Sequence, residues 1–132
     1  MKITADTNVL ARAVLLDDPA QGAAAAKRLR ATTLIAVSLP CLCELVRLLR
    51  HGAKLSKDEV ATTIRDLLDA GNVVLNRPVV EAGLALLEAG GDFADGITAH
   101  EGKWLGGETF VSFDKEAVTL RSRQGEAARL PS

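Results

Sequence analysis

The sequence predicts an α/β fold in which helices cover both faces of a mainly parallel sheet of four or five strands. Three observations favour this class. Strand and helix patterns alternate along the chain, its apolar residues are mostly Ala, Val and Leu, and aromatic residues make up only 3%. Helical crossovers between successive strands are right-handed and place the strands in parallel. At 132 residues, the chain has room for one domain, predicted to span residues 1–132.

The first part of the chain predicts three short, apolar strands, at residues 2–6, 33–39 and 72–76. It also predicts four helices, at residues 8–18, 19–31, 40–52 and 56–71. The first of them ends at Asp17 and Asp18, before a proline. Pro40 suits the first turn of the third helix, because its missing N–H has no partner there in any helix. Ser56 and Glu59 have the spacing of a capping box for the fourth.

The second part continues the alternation with three helices and a strand between the last two. The helices are predicted at residues 77–91, 92–107 and 115–123, and the strand at 108–114. Residues 126–131 predict a further strand at the edge of the sheet. Asp92 has a side chain suited to the N-cap of its helix, which places Asp95 one turn inside.

Charge and apolar patterning limit the classes of function. The net charge is −1, yet residues 27–57 carry seven basic residues and one acid, whereas residues 58–101 carry nine acids and two basic residues. The first stretch is therefore net +6 and the second net −7, an asymmetry that permits a local surface for a polyanion. The chain has no apolar run of membrane-spanning length and no signal-peptide core, so we predict a cytoplasmic protein. Cys41 and Cys43 are too few and too close for a disulfide framework, and we expect them in the core.

Acidic residues follow two of the predicted strands. Asp6 ends the first strand and Asp114 ends the fourth. Because ligands of open parallel sheets bind at the carboxyl ends of the strands, both carboxylates are candidates for one crevice. Glu44 lies at the border of the apolar face of its helix, where it either joins this site or forms a surface ion pair with Arg47. Asp95 is the fourth candidate, since a residue in the first turn of its helix can project into the same crevice.

Carboxylates that converge on one pocket raise one another's pKa unless a cation compensates their charge. Oxygen ligands without a histidine pair or a cysteine cluster suit Mg²⁺ or Mn²⁺ rather than zinc. Such ions clamp phosphate oxygens, which is the chemistry of phosphodiester hydrolysis. The acids therefore indicate a metal-dependent phosphodiesterase, with Asp95 as a direct ligand and Asp92 as an auxiliary residue whose main role is the helix cap.

Four segments together resemble the signature blocks of PIN-domain ribonucleases, especially the VapC-type toxins of bacterial toxin–antitoxin pairs. They are ADTNVL at the N-terminus, CELVRLL around Glu44, DFADGITAHEG and TFVSFDKE. The resemblance implies a PIN-like three-layer α/β/α fold and a Mg²⁺- or Mn²⁺-dependent endoribonuclease. It assigns the catalytic, metal-binding positions to Asp6, Glu44, Asp95 and Asp114, with Asn8 and Ser112 as auxiliary polar residues. It also implies a homodimer, and a small antitoxin protein whose C-terminal segment points a basic side chain at the acids.

Two residues depart from this family pattern. Gly96 and His100 stand where such proteins commonly have an alanine-rich run, and we expect Gly96 to loosen its helix by up to about 1 kcal/mol relative to alanine. His100 is expected on the helix surface or in packing. Two other functions remain open from the residues: phosphoryl transfer through an aspartyl phosphate on Asp6, and a non-catalytic module whose acidic pocket captures a basic side chain of a partner.

Overall fold

The structure, a computed structural model, describes residues 1–15 and 19–132. The described residues form two compact units, Met1–Asn76 and Arg77–Ser132. The predicted end of the first helix, at Asp17 and Asp18, lies outside the described residues. That residues 1–132 form a single domain stays a prediction.

The first unit contains a three-stranded parallel sheet and four α-helices. Its strands are β1 (Lys2–Thr4), β2 (Leu34–Ala36) and β3 (Val73–Val74), in the order β1-β2-β3. Its helices are α1 (Thr7–Leu15), α2 (Pro19–Ala31), α3 (Leu39–Arg47) and α4 (Lys57–Asp69). Ile3 of β1 is in register with Ile35 of β2, which is in turn in register with Val73 of β3. Since β2 has a partner on each side, its Ile35 is only 2% exposed.

Helices α3 and α4 bury the apolar stripes that their sequences predict. On α3 the buried residues are Cys41, Leu42, Leu45 and Val46, and on α4 they are Val60, Ala61, Ile64 and Leu68. The capping box of α4 is present as predicted, because the Ser56 and Glu59 side chains each accept a hydrogen bond from the other's backbone N–H. The stripes therefore belong to the core, where burial of each aliphatic side chain contributes about 1.5–3 kcal/mol.

The third helix differs from its predicted extent. It begins at Leu39 because the Ser38 side chain caps it by accepting a hydrogen bond from the backbone N–H of Cys41. From Leu48 to Gly52 the chain forms a π-helical segment, in which the N–H of Ala53 donates to the carbonyl of Leu48 at 2.9 Å. The helix predicted at residues 40–52 is therefore an α-helix followed by one wider turn.

The second unit contains three α-helices and a two-stranded parallel sheet. The helices are α5 (Arg77–Glu88), α6 (Phe93–Trp104) and α7 (Lys115–Arg123). The strands are β4 (Phe110–Val111) and β5 (Ala128–Arg129), with Phe110 in register with Ala128. The strand predicted at residues 126–131 is thus present as β5. Phe93 anchors the core of this unit and is fully buried.

Helices α5 and α6 approach each other at two glycines. A Cβ atom on Gly96 of α6 would lie 2.7 Å from the carbonyl oxygen of Ala82 and 2.8 Å from the Cα of Gly83, both on α5. On Gly83 it would lie 2.8 Å from the ring of Phe93. Gly96, which we expected to loosen its helix, is therefore the residue that lets the two backbones pack closely.

The predicted α/β class with parallel strands is confirmed. The five strands stand in the predicted order, but they form one sheet of three strands and one of two. Each is shorter than predicted. After β2 and β4 the reason is that residues with extended backbone, Ser38 and Asp114, cap the following helix. Within the described parts of the chain, no helix is long and apolar enough to cross a membrane.

Candidate functional site

Asp6 lies just beyond the end of β1 and starts α1. It follows the buried Ala5, and its own side chain is exposed. Its carboxylate Oδ1 accepts a hydrogen bond from the backbone N–H of Thr7 at 2.8 Å, and its carbonyl accepts from the N–H groups of Val9 and Leu10. A charge is therefore tolerated at the end of this strand because it lies at the positive N-terminus of a helix.

Cys41 supports the turn that holds Asp6. Its thiol accepts a hydrogen bond from Thr7 Oγ1 at 3.5 Å and donates to the carbonyl of Ala5 at 3.6 Å. These partners flank Asp6 on both sides. The sequence predicted only that Cys41 is buried, which it is. No local pattern predicts that its thiol contacts the β1–α1 turn, whose residues lie 34 and 36 positions away in sequence.

Asp6 and Asn8 line different cavities of the first unit. The cavity at Asp6 has a volume of about 410 Å³ and is bordered by Ser38 and Cys41. Asn8 borders a second cavity of about 300 Å³, together with Arg12 and the residues at the end of the π-helical segment. Asn8 thus borders a different cavity from Asp6, although the two residues are close in sequence, and its supporting role stays a prediction.

Glu44 forms the ion pair that was the simpler alternative at this position. Its Oε1 accepts a hydrogen bond from Arg47 Nη2 at 3.2 Å, one turn along α3. The Glu44 side chain is 44% exposed and that of Arg47 is 70% exposed. A pair this accessible contributes only a few tenths of a kcal/mol, so Glu44 can exchange this partner for another cation at little cost.

In the second unit, Asp92 caps α6 as the sequence predicts. Its Oδ2 accepts a hydrogen bond from the backbone N–H of Asp95 at 3.1 Å, and its backbone is extended, with φ −104° and ψ 130°. Asp95 is consequently the third residue of the helix, with its side chain partly buried. The local spacing alone fixes both positions.

Asp95 has an electrostatic environment that opposes its ionisation. Partial burial raises the pKa of the Asp95 carboxyl, and the negative charges of Asp92 and then Asp114 raise it further. The protein itself therefore compensates the charge of Asp95 only incompletely. This is the condition under which a bound cation brings the largest gain.

Asp114 caps α7 at the end of the turn after β4. Its Oδ1 accepts hydrogen bonds from the N–H groups of Glu116 at 3.0 Å and Ala117 at 3.2 Å. Ser112, predicted as an auxiliary residue, orients this turn, because its Oγ accepts from the backbone N–H of Asp114 at 3.0 Å. The residue between them, Phe113, is 87% exposed.

The chemistry of these donors fits a hard divalent cation, although the structure forms no closed cage. Three carboxylates of the second unit interact, and one of them is partly desolvated, which is typical of sites that hold Mg²⁺ or Mn²⁺. Among the described residues, no group of three or more His, Cys, Asp or Glu side chains is arranged to hold one metal ion. The match between these carboxylates and a divalent cation therefore rests on the type of donor atom and on the uncompensated charge, and not on a preformed arrangement of ligands.

Comparison with known proteins identifies one family. The family model described as PIN domain matches residues 3–121, a range that includes most of each unit. No curated protein and no solved structure gives a significant match to the chain. The matched range includes every acidic residue discussed above.

Proposed function

The chain belongs to the PIN-domain family, and from that premise we propose that it is a metal-dependent endoribonuclease that acts as a toxin of a toxin–antitoxin pair. PIN domains are typically metal-dependent nucleases, so hydrolysis of nucleic acid is the general expectation. The observation that carries the proposal is the group of interacting carboxylates around Asp95, whose pKa is raised by burial and by Asp92 and Asp114.

We assign the metal to four carboxylates. Asp95 and Asp114 of the second unit, with Asp6 and Glu44 of the first, are the proposed ligands of Mg²⁺ or Mn²⁺. A bound divalent ion would neutralise charge on the phosphate oxygens and activate water for attack on phosphorus. Asp6 and Asp114 each use one oxygen to cap a helix, and the other oxygen accepts no hydrogen bond from the described residues, so each retains a donor atom for a cation.

Basic residues of the first unit support RNA as the substrate. The last turns of α2 carry Lys27, Arg28 and Arg30, which are all exposed. Side chains of this kind bind the phosphate backbone without reading sequence, and they make affinity depend on salt. They provide a local surface for a polyanion, although the chain as a whole has a net charge of −1.

The test of the nuclease is the divalent-dependent cleavage of RNA by the wild type and by two charge-neutralising variants. Asp6→Asn and Asp95→Asn come from different units, and each should abolish cleavage while the circular dichroism spectrum stays native. Asp66→Asn removes an exposed acid of α4 and should cleave like the wild type. Cleavage that persists in either site variant would refute the assignment. Metal binding without cleavage by the wild type would favour the acidic-pocket binding module instead.

We further propose a homodimer that is inhibited by a small antitoxin. The apolar stripes of α3 and α4 are buried and do not support a partner surface. What supports the antitoxin is the exposed Phe113 next to Asp114, an apolar contact beside a carboxylate. An arginine of the antitoxin would match that carboxylate through its bidentate fork.

The partner proposal is tested separately from the nuclease. Co-expression with the product of the adjacent small gene should yield a complex that purifies together and relieves growth arrest. Phe113→Ser should weaken that complex and leave the cleavage rate of the free enzyme unchanged. If neither co-purification nor relief is observed, the toxin role fails even when RNA cleavage is demonstrated.

A further inference from the structure

The second unit contains a cavity that none of the proposed metal ligands lines. It has a volume of about 360 Å³ and lies among α5, α6, α7 and the turn that follows α7. Ala82 and Ala85 of α5 form an apolar wall. The polar residues that line the cavity are His100, Lys103, Arg121, Gln124 and Glu126. Volumes of this size are typical of small-molecule sites.

Two buried side-chain nitrogens of residues that line this cavity have no hydrogen-bond partner among the described residues. The Arg121 side chain is only 8% exposed, and its Nε has no hydrogen-bond partner among the described residues. His100 Nε2 is likewise buried without a partner there. An unsatisfied buried polar group costs about 1–3 kcal/mol, and more when it is charged. Such a cost is unusual in a folded protein and points to an acceptor that these nitrogens bind.

Glu126 compensates only part of the positive charge of Lys103 and Arg121. Its Oε2 accepts a hydrogen bond from Lys103 Nζ at 2.8 Å and lies 3.8 Å from Arg121 Nη2. The bond from Lys103 lowers the pKa of Glu126, as do the nearby charges of Lys103, Arg121 and His100. One carboxylate thus faces two permanent cations, and it reaches neither Arg121 Nε nor His100 Nε2. A ligand with several anionic oxygens would match all of these donors.

An exposed aromatic ring lies beside this cavity. Trp104 is 80% exposed, and together with His100 and Lys103 it lines a second cavity of about 300 Å³. The two cavities therefore share two of their basic residues. A large aromatic face left in water next to cationic side chains is the usual platform for stacking of a nucleobase.

We propose that these two neighbouring cavities bind a nucleotide through a terminal phosphate. Arg121, His100 and Lys103 donate to the phosphate oxygens, which displace the Glu126 carboxylate, and the base stacks on Trp104. A terminal phosphate fits better than an internal phosphodiester because it brings three free oxygens to donors that lie inside a cavity. The phosphate belongs either to a free mononucleotide or to the end of an RNA strand.

Ligand binding can be measured by the fluorescence of Trp104, because it is the only tryptophan of the chain. Its fluorescence is followed in EDTA, so that no metal ion bound by the acidic residues contributes to binding. Adenosine 5′-monophosphate and inorganic phosphate should both give saturable binding that adenosine does not. A hexanucleotide with a 5′-phosphate that binds more tightly than its 5′-hydroxyl form would identify an RNA end as the source, and equal affinity of mononucleotide and hexanucleotide would identify the free nucleotide.

Two variants test the assignment of residues while Arg121, which is buried, is left in place. Lys103→Gln should weaken phosphate binding by about tenfold or more, since it removes a charge-assisted hydrogen bond. Glu126→Gln should tighten binding several-fold by removing the competing carboxylate, a gain that misfolding cannot produce. Lys115→Gln neutralises an exposed lysine of the same unit and should bind like the wild type.

Three results would overturn the proposal. They are the absence of saturable phosphate binding in both the wild type and Glu126→Gln, unchanged affinity in Lys103→Gln, and adenosine binding as tightly as its monophosphate. The first would mean that water satisfies the two buried nitrogens. The nuclease proposal is unaffected by any of them, because its test uses Asp6 and Asp95 and requires a metal.

Discussion

Substitution of Gly96 by alanine sets two physical effects against each other at the contact between α5 and α6. Alanine is a better helix former than glycine by about 1 kcal/mol, so an isolated helix would become more stable. In the folded chain the new Cβ would lie 2.7 Å from a carbonyl oxygen and 2.8 Å from a Cα of α5. Both atoms are backbone, so the contact cannot be relieved by rotation of a side chain.

The steric clash with α5 should outweigh the gain in helix propensity. Overpacking of a tight contact costs typically about 1–3 kcal/mol, and the upper half of that range applies where whole helices must separate. After the gain in propensity is subtracted, Gly96→Ala should lower the free energy of unfolding by about 1–2 kcal/mol. For a chain of this size that is a fall in Tm of roughly 3–8 °C. Cleavage should fall as well, because Asp95 lies next to Gly96 in α6.

Gly102 provides a matched control on the same helix. A Cβ atom there would meet no heavy atom within 4 Å, so Gly102→Ala tests propensity without the steric effect. It should leave stability unchanged or raise it by up to about 1 kcal/mol. Urea denaturation followed by circular dichroism measures both variants. If both alanines stabilise the chain to the same extent, the close approach of α5 and α6 is not what requires glycine, and the reasoning fails.

Four further predictions concern the acids. Asp92→Ala should cost about 1 kcal/mol of stability and leave substantial cleavage, whereas Asp95→Ala should remove cleavage; equal losses of activity would reverse the ranking. In EDTA, the contribution of Asp95 to stability, measured as the difference in urea midpoint between the wild type and Asp95→Asn, should decrease as the pH rises from 3.8, the ordinary value for aspartate, through the raised pKa of Asp95, because the folded state binds that proton more tightly; a difference that stays constant over this range would contradict it. Mg²⁺ should raise the Tm of the wild type but not that of Asp95→Asn, and calorimetry that detects no divalent binding would contradict this. Asp114→Asn should preserve the cap and lose metal binding, whereas Asp114→Ala should also lose about 1 kcal/mol, as equilibrium unfolding would show.

Much of the fold could be predicted because it depends on local pattern. Alternating apolar segments specified the order of strands and helices, and capping signals such as Ser56 specified helix starts. Strand ends were predicted too far along the chain at Ser38 and Asp114, since an N-cap has the same extended backbone as a strand. The π-helical segment after Arg47 has no local signal that distinguishes it from a continuing helix.

The candidate site was predictable only in part, since tertiary contacts decide what a polar residue does. The spacing of Asp92 and Asp95 was enough to predict the cap. By contrast, Cys41 contacts residues more than 30 positions away, and the cavity at Arg121 depends on the packing of three helices. Neither arrangement leaves a period or a motif in the sequence. His100, which was expected on the surface or in packing, lines that cavity.

The caps also explain how three of the candidate acids are stabilised by the fold itself. Asp6, Asp92 and Asp114 all lie at helix N-termini, where backbone N–H groups and the helix dipole stabilise a negative charge. Asp95 accepts no such bond from the described backbone and lies partly buried near two of them. Asp95 also lies in the first turn of α6, yet burial and its acidic neighbours still raise its pKa. Because the caps stabilise the other charges, a cation bound near Asp95 would relieve a repulsion that the fold itself leaves, and Asp95→Asn should weaken metal binding at least as much as the same change at any of the capping acids.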